Sequence, residues 1–173
     1  GNGAFFDEYV RKADNQVARI WEAVKYREAN FDEEWMVVVT TDHGRGENGH
    51  GHGGQSWRER TTWISTNIPV NSHFTKGFLA ITDIAPSICR YMGFEIPQAV
   101  LWEQDGMPFI GQTDIYDLQT LPYDNTVELS WKSYTGNAPV TVYAASANKF
   151  REGGKDEWTK LAGFQIPYNG KWK

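Results

Sequence analysis

Three of the four histidines in this chain, His43, His50 and His52, fall in one glycine-laden stretch, VVVTTDHGRGENGHGHGGQSW, between Val37 and Trp57. Six glycines lie between Gly44 and Gly54, so the segment has almost no apolar side chains with which to hold itself together. A loop of that composition needs a ligand, a metal or a reason to move. The chemistry on offer is metal chemistry. The Asp42 carboxylate and the His43 imidazole are hard and borderline donors suited to zinc or manganese, and His52, ten residues beyond Asp42, can reach back to the same region. Two plainer readings stand beside it: a turn with an exposed histidine, or a mobile HGHGG loop with no ligand of its own.

Asp42 and His43 must be positioned by what precedes them. EWMVVVTT is a short, unbroken, β-branched run, the pattern of a parallel strand buried on both faces. Neighbouring side chains on a strand point to opposite faces, so both residues serve one site only if the backbone turns, which Gly44 permits. Ligands in doubly wound α/β sheets sit outside the carboxyl ends of the strands, where this pair falls. Upstream, Phe6, Val10, Ala13, Val17, Ile20, Trp21 and Val24 recur at helical spacing and predict an amphipathic helix ending near Asn30. Downstream, WRER reads as a charged strand entry and RTTWIST as a second strand. GFLAITDIAPSICRYMGF reads as a strand followed by a helix capped by Thr82 or Asp83, with Pro86 in its first turn. Helix, strand, loop, strand, helix is an α/β rhythm.

The character changes from Gln104. Turn formers dominate as far as Asn125, then Val127, Leu129 and Trp131 alternate in one segment and Val140, Val142 and Ala144 in another. These are expected to be half-buried strands joined by a Gly-Asn turn, in an antiparallel sheet or sandwich. The expected organisation is therefore an α/β unit over 1–111, a linker over 112–125 and an incomplete β-sandwich-like accessory domain over 126–173.

Composition narrows the function classes. Hydrophobic residues at 40% and charged ones at 23% read as globular rather than disordered. A net charge of −5 argues against nucleic acid as the main partner. No apolar run approaches the roughly 20 residues of a transmembrane helix. Cys89 is the only cysteine, so no internal disulfide forms. The chain opens GNGAFFDEYV, with no methionine, basic segment or apolar signal region, and is expected to be an internal piece of a longer protein.

The ordered set VVVTTDHGRGENGHGHGGQSWRERTTWIST, ITDIAPSICRYMGFEIP and DGMPF, preceded by KADNQVARIWEAVKYRE, resembles the C-terminal part of the alkaline phosphatase superfamily. That superfamily includes type I phosphodiesterases and nucleotide pyrophosphatases, phosphoglycerate-mutase-like proteins and sulfatases. The likeness spans about Ala4 to Ile110 and implies an alkaline-phosphatase-like sandwich with a mostly parallel sheet, followed by a small antiparallel β domain. It implies two divalent ions, zinc or alternatively manganese, flanking a Thr or Ser nucleophile. By the same resemblance Asp42 and His43 bind the ion that activates the nucleophile, and His52, with His50 as the alternative, binds the other. The implied activity is hydrolysis of a phosphoester, on a small molecule or a glycan-linked substrate, in a periplasmic, secreted or surface-attached setting. The nucleophile and the remaining ligands lie upstream of these residues, so the fragment alone is expected to be inactive.

Thr40 and Thr41 read as strand formers. Arg45, Glu47 and Asn48 read as loop polarity that can alternatively touch substrate. His73 has no partner in the sequence and reads as structural, and Cys89 as a small core residue. Two other functions remain open. A sulfatase is one, although sulfatases commonly pair the metal-binding Asp with Asn, so Asp42-His43 favours phosphoesters. A pseudoenzyme or glycan-binding protein is the other, suggested by Trp131, Tyr143, Trp158 and Trp172.

Overall fold

A computed structural model describes residues 3–124, 126–136, 139–149, 152–165 and 169–172. The chain divides into two compact units, residues 1–68 and 69–173.

The first unit opens with helix α1, Ala4–Asn30. Its apolar residues follow the helical period, yet among its described residues only Val24 is buried. Salt bridges Glu8–Lys12 and Glu22–Lys25 brace its outer surface. The helix stops where Phe31 turns extended, and just beyond it Glu33 takes the guanidinium of Arg27 and the indole N–H of Trp35. Strand β1, Val38–Thr40, follows. Asn67 fixes its entry, accepting from Val37 N–H at 2.7 Å and donating to Trp35 O at 2.8 Å. The glycine loop then leads to a single helical turn α2, Trp57–Arg60, and strand β2, Ile64–Thr66.

β1 pairs β2 antiparallel, with Val38 opposite Thr66, Val39 opposite Ser65 and Thr40 opposite Ile64. The mostly parallel sheet expected of an alkaline-phosphatase-like sandwich is therefore overturned: every sheet among the described residues is small and antiparallel. The reason is the connection. The connection, residues 41–63, is long enough for a parallel crossover, but it carries a glycine loop and the four-residue turn α2 in place of a helix that could lie across a sheet. The Val-Val-Val run is correspondingly only half-buried. WRER and RTTWIST also resolve differently: WRER is the helical turn itself, and strand begins only at Ile64.

The second unit begins with short helices: α3, Ser72–Lys76, a 3-10 turn at Ile81–Asp83 running into α4, Ile84–Tyr91, and α5, Gln98–Trp102. No strand forms in GFLAI. Asp83 precedes α4 without capping it, and its carboxylate instead accepts from Ala80 N–H and Met107 N–H at 2.8 and 2.7 Å. Two side chains clamp the segment that follows α5. The Asn71 amide donates to Pro108 O and Gly111 O, and Arg90 donates to Ile110 O and Gln112 O.

The stretch read as a linker, 112–125, carries strand β3, Ile115–Tyr123, paired antiparallel with β4, Thr126–Ser133. Strand β5, Pro139–Ala144, pairs with β6, Thr159–Gln165, and β7, Asn169–Trp172, adds to β4. The two expected strands are thus β4 and β5, but they belong to different sheets, β3-β4-β7 and β5-β6. Asn137 of the expected turn and the side chain of Trp172 lie outside what is described. Trp131 from β4 and Val140 and Val142 from β5 form one buried cluster, flanked by Ile115, Leu129 and Ala162. Core packing is thereby the role of Trp131, 4% exposed.

Candidate metal centre

β1 delivers its chain directly into Thr41, Asp42 and His43, with the backbone bending at Asp42. Asp42 Oδ1 accepts the N–H of His43 at 3.0 Å, a local bond that draws the carboxylate toward the imidazole. Asp42 Oδ2 and His43 Nε2 lie 3.4 Å apart. On the other side of the ring, His43 Nδ1 is 2.7 Å from Gly44 O. A carbonyl can only accept, so a ring proton sits on Nδ1, and Nε2 faces Asp42 either with a second proton to donate or with a lone pair for a cation. Two lone-pair donors facing each other at that distance repel unless a proton or a cation stands between them.

This arrangement fits a metal. Two donors about 2.1 Å from a tetrahedral zinc are separated by about 3.4 Å. A ligating histidine normally donates its other ring N–H to a carbonyl or carboxylate, which fixes its tautomer. Asp42 and His43 meet both conditions through residues of their own strand exit. All three candidate side chains are exposed, open to an ion or a further donor.

His52 completes the cluster. Its ring stacks on that of His43 with centroids 4.3 Å apart and planes inclined by 25°. Nearly parallel rings point their nitrogen lone pairs side by side rather than at one point. The pair therefore suits two neighbouring ions better than one shared ion. Among the described residues, no group of three or more His, Cys, Asp or Glu side chains is placed to hold a metal ion. The ring against His43 is that of His52; for His50 the described bond is its backbone N–H to Asn48 Oδ1, at 2.9 Å.

The other polar residues of the loop have local work. The Arg45 guanidinium lies over the Phe6 ring, 5.9 Å from its centroid. Glu47 O accepts from Arg58 at 3.3 Å. Gly49, Gly51 and Gly53 all adopt positive φ, at 73°, 70° and 96°, which explains why the histidines alternate with glycine: side chains rarely tolerate that conformation. At the loop's far end Ser56 and Glu59 form a capping box at the start of α2. The Glu59 carboxyl is held below its usual range first by the Ser56 hydroxyl and then by the Gly54 N–H.

A second polar cluster lies in the second unit, one that the sequence does not announce. His73 and Asp83 are 5% and 3% exposed, with His73 Nε2 3.0 Å from Asp83 Oδ2. The Tyr134 hydroxyl stands 3.5 Å from His73 Nδ1, and burial pushes the Tyr134 phenol up from its ordinary range. With its carboxylate bonded to Ala80, Met107 and His73, Asp83 ties the 3-10 turn to both flanking segments, a structural use of a buried pair. No local signal could have found it, because the partners are joined only through folding.

No protein-family profile, curated protein or solved structure matches the chain.

Proposed function

We propose that residues 37–57 form the metal-binding part of a phosphoester hydrolase, with Asp42 and His43 holding one divalent ion and His52 a second, zinc being the favoured metal. The observation that carries the metal part of this reading is the Asp42 Oδ2 to His43 Nε2 separation of 3.4 Å, with His43 Nδ1 already committed to Gly44 O; the phosphoester part rests on the sequence resemblance alone. Bound ions would supply positive charge to a phosphoryl group and to its entering and leaving oxygens.

The chain's own residues do the holding. The Gly44 carbonyl orients the His43 ring, the His43 N–H orients Asp42, and the glycine-flanked His52 lies against His43. Two donors to one ion and one to the other fall short of the three protein ligands usual for a catalytic zinc. We therefore assign the remaining donors and the nucleophile to protein outside these 173 residues, and the chain alone to binding without turnover.

Calorimetric titration of the 173-residue chain with zinc tests the assignment. Zinc should bind, His43→Ala should abolish measurable binding, His52→Ala should remove part of it, and His50→Ala should leave it unchanged. Binding that survives both His43→Ala and His52→Ala overturns the site. Chelator-sensitive hydrolysis of an aryl phosphate ester by this chain alone overturns the shared-site account.

A further inference from the structure

The two ends of the glycine loop meet at one residue. Gly44 N–H donates to the backbone carbonyl of Glu59 at 2.8 Å, and Gly54 N–H donates to the Glu59 carboxylate at 3.0 Å. His43 immediately precedes the first of these glycines and His52 lies two residues before the second. We propose that Glu59 is the positioning residue of the candidate metal centre, closing the loop at both feet so that His52 is held against His43.

Elsewhere the loop is held by Arg58, which donates to Glu47 O at 3.3 Å, and by Arg45 over the Phe6 ring. Its internal backbone bonds, Gly46 N–H to Gly51 O and Gly49 N–H to Gly46 O at 3.3 and 2.8 Å, shape the tip and leave the feet unjoined. Apolar side chains are absent from 44–54, so burial contributes nothing to closure. Bringing two ends of a flexible loop together costs conformational entropy, and here directed hydrogen bonds must offset it. Glu59 is well placed to supply them because its own position is fixed. Its second carboxylate oxygen accepts from the Ser56 hydroxyl at 2.6 Å and the Ser56 N–H at 3.3 Å, and its N–H donates to Ser56 Oγ at 3.3 Å.

The fit also explains two glycines. A Cβ at Gly54 would stand 2.5 Å from a Glu59 carboxylate oxygen, and one at Gly44 would stand 1.9 Å from the Arg58 carbonyl. The Gly44 foot therefore approaches the α2 backbone more closely than any side chain allows, and a side chain at Gly54 would have to displace the Glu59 carboxylate. A capping box alone requires only the Ser56 and Glu59 bonds to each other. The bonds to Gly44 and Gly54 exceed that requirement, and they join the segments that carry the two histidines.

The zinc arm of the test rests on the proposed function, whereas the geometric arm does not. In the metal-free 173-residue chain, ring-to-ring nuclear Overhauser signals between His43 and His52 read their juxtaposition directly. Signals across the Val39 and Ser65 pairing report that the unit is folded. We expect the histidine signals in the wild type, their disappearance in Glu59→Ala, which removes the Gly54 foot and leaves the backbone bond to Gly44, and their weakening without loss in Ser56→Ala, which removes the capping hydroxyl but leaves the carboxylate and its bond from the Ser56 N–H. Glu59→Gln, which keeps an acceptor for Gly54, should restore them in part. Zinc affinity should fall by roughly 10- to 100-fold in Glu59→Ala, the usual scale for losing an outer-shell partner. If the histidine signals vanish in Glu59→Ala but no variant binds zinc, the positioning role stands and the metal reading is refuted. Histidine signals missing from the wild type, or equally strong in a folded Glu59→Ala, would overturn the inference itself.

Discussion

Replacing Gly44 with alanine is the sharpest perturbation the candidate centre allows. Gly44 does not occupy the left-handed region, so its backbone conformation suits an alanine; the obstacle is space. The new Cβ would stand 1.9 Å from Arg58 O and 3.0 Å from Thr61 O, both backbone atoms that cannot swing aside as a flexible side chain can. Restoring ordinary contact requires the loop foot to retreat by about 1.5 Å, which stretches the Gly44 to Glu59 bond beyond hydrogen-bonding range. Losing that bond costs about 0.5–1.5 kcal/mol, and the carbonyl that fixes the His43 tautomer moves with it. Because His43 is adjacent, zinc affinity should drop by about 10- to 100-fold, as for other losses of ligand support. Calorimetric zinc titration of the variant, alongside a urea melt, measures both consequences. Unchanged affinity in a chain whose stability has fallen would show that His43 does not depend on the Gly44 approach, and the positional reasoning would fail.

Two further outcomes concern the second unit. Ser87, fully buried, donates to Asp83 O at 2.7 Å and accepts from Phe109 N–H at 2.8 Å, so Ser87→Ala strands the Phe109 N–H and should cost about 1–3 kcal/mol in urea unfolding; a neutral result would refute the bond's role. Asp114 is partly desolvated, which opposes ionisation, but bonds from Thr135 and Ser133 outweigh this and hold its carboxyl below the ordinary range. Its contribution is present above the unfolded pKa, about 3.9, and lost as pH falls through the lower folded value; the stability gap between wild type and Asp114→Asn should accordingly shrink on acidification below about pH 4, and a gap that widens would reverse the sign.

Much of the local structure was legible in the residues. Helix α1 follows directly from apolar positions recurring at helical spacing, and β4 and β5 from two-residue alternation, because both periods are properties of contiguous chain. That Asp42 and His43 lie together at the exit of β1 was legible for the same reason, since they are chain neighbours. The β1 run showed its strand character but not its partner. Three β-branched residues look alike whether the neighbouring strand runs parallel or antiparallel, and the antiparallel partner β2 follows a connection that carries no crossover helix. Likewise the alternation in β4 and β5 suggested a hairpin, whereas β4 found β3 and β7, and β5 found β6, through pairings that depend on the whole β unit.

Within the glycine loop, sequence determined which donors are present and left their arrangement open. His50 and His52 occupy equivalent settings between glycines, so no local preference separates them. What places the His52 ring on His43 is the return of the chain to Glu59, a residue whose neighbours in WRER suggest only a charged strand entry. The buried His73 and Asp83 show the same division. Each is an ordinary polar residue in its own segment, and becomes a desolvated partner only when α3 and the 3-10 turn fold together. Propensity and periodicity act between neighbours along the chain, whereas closure of a loop and pairing of buried polar groups act between residues that only the folded structure brings within hydrogen-bonding distance.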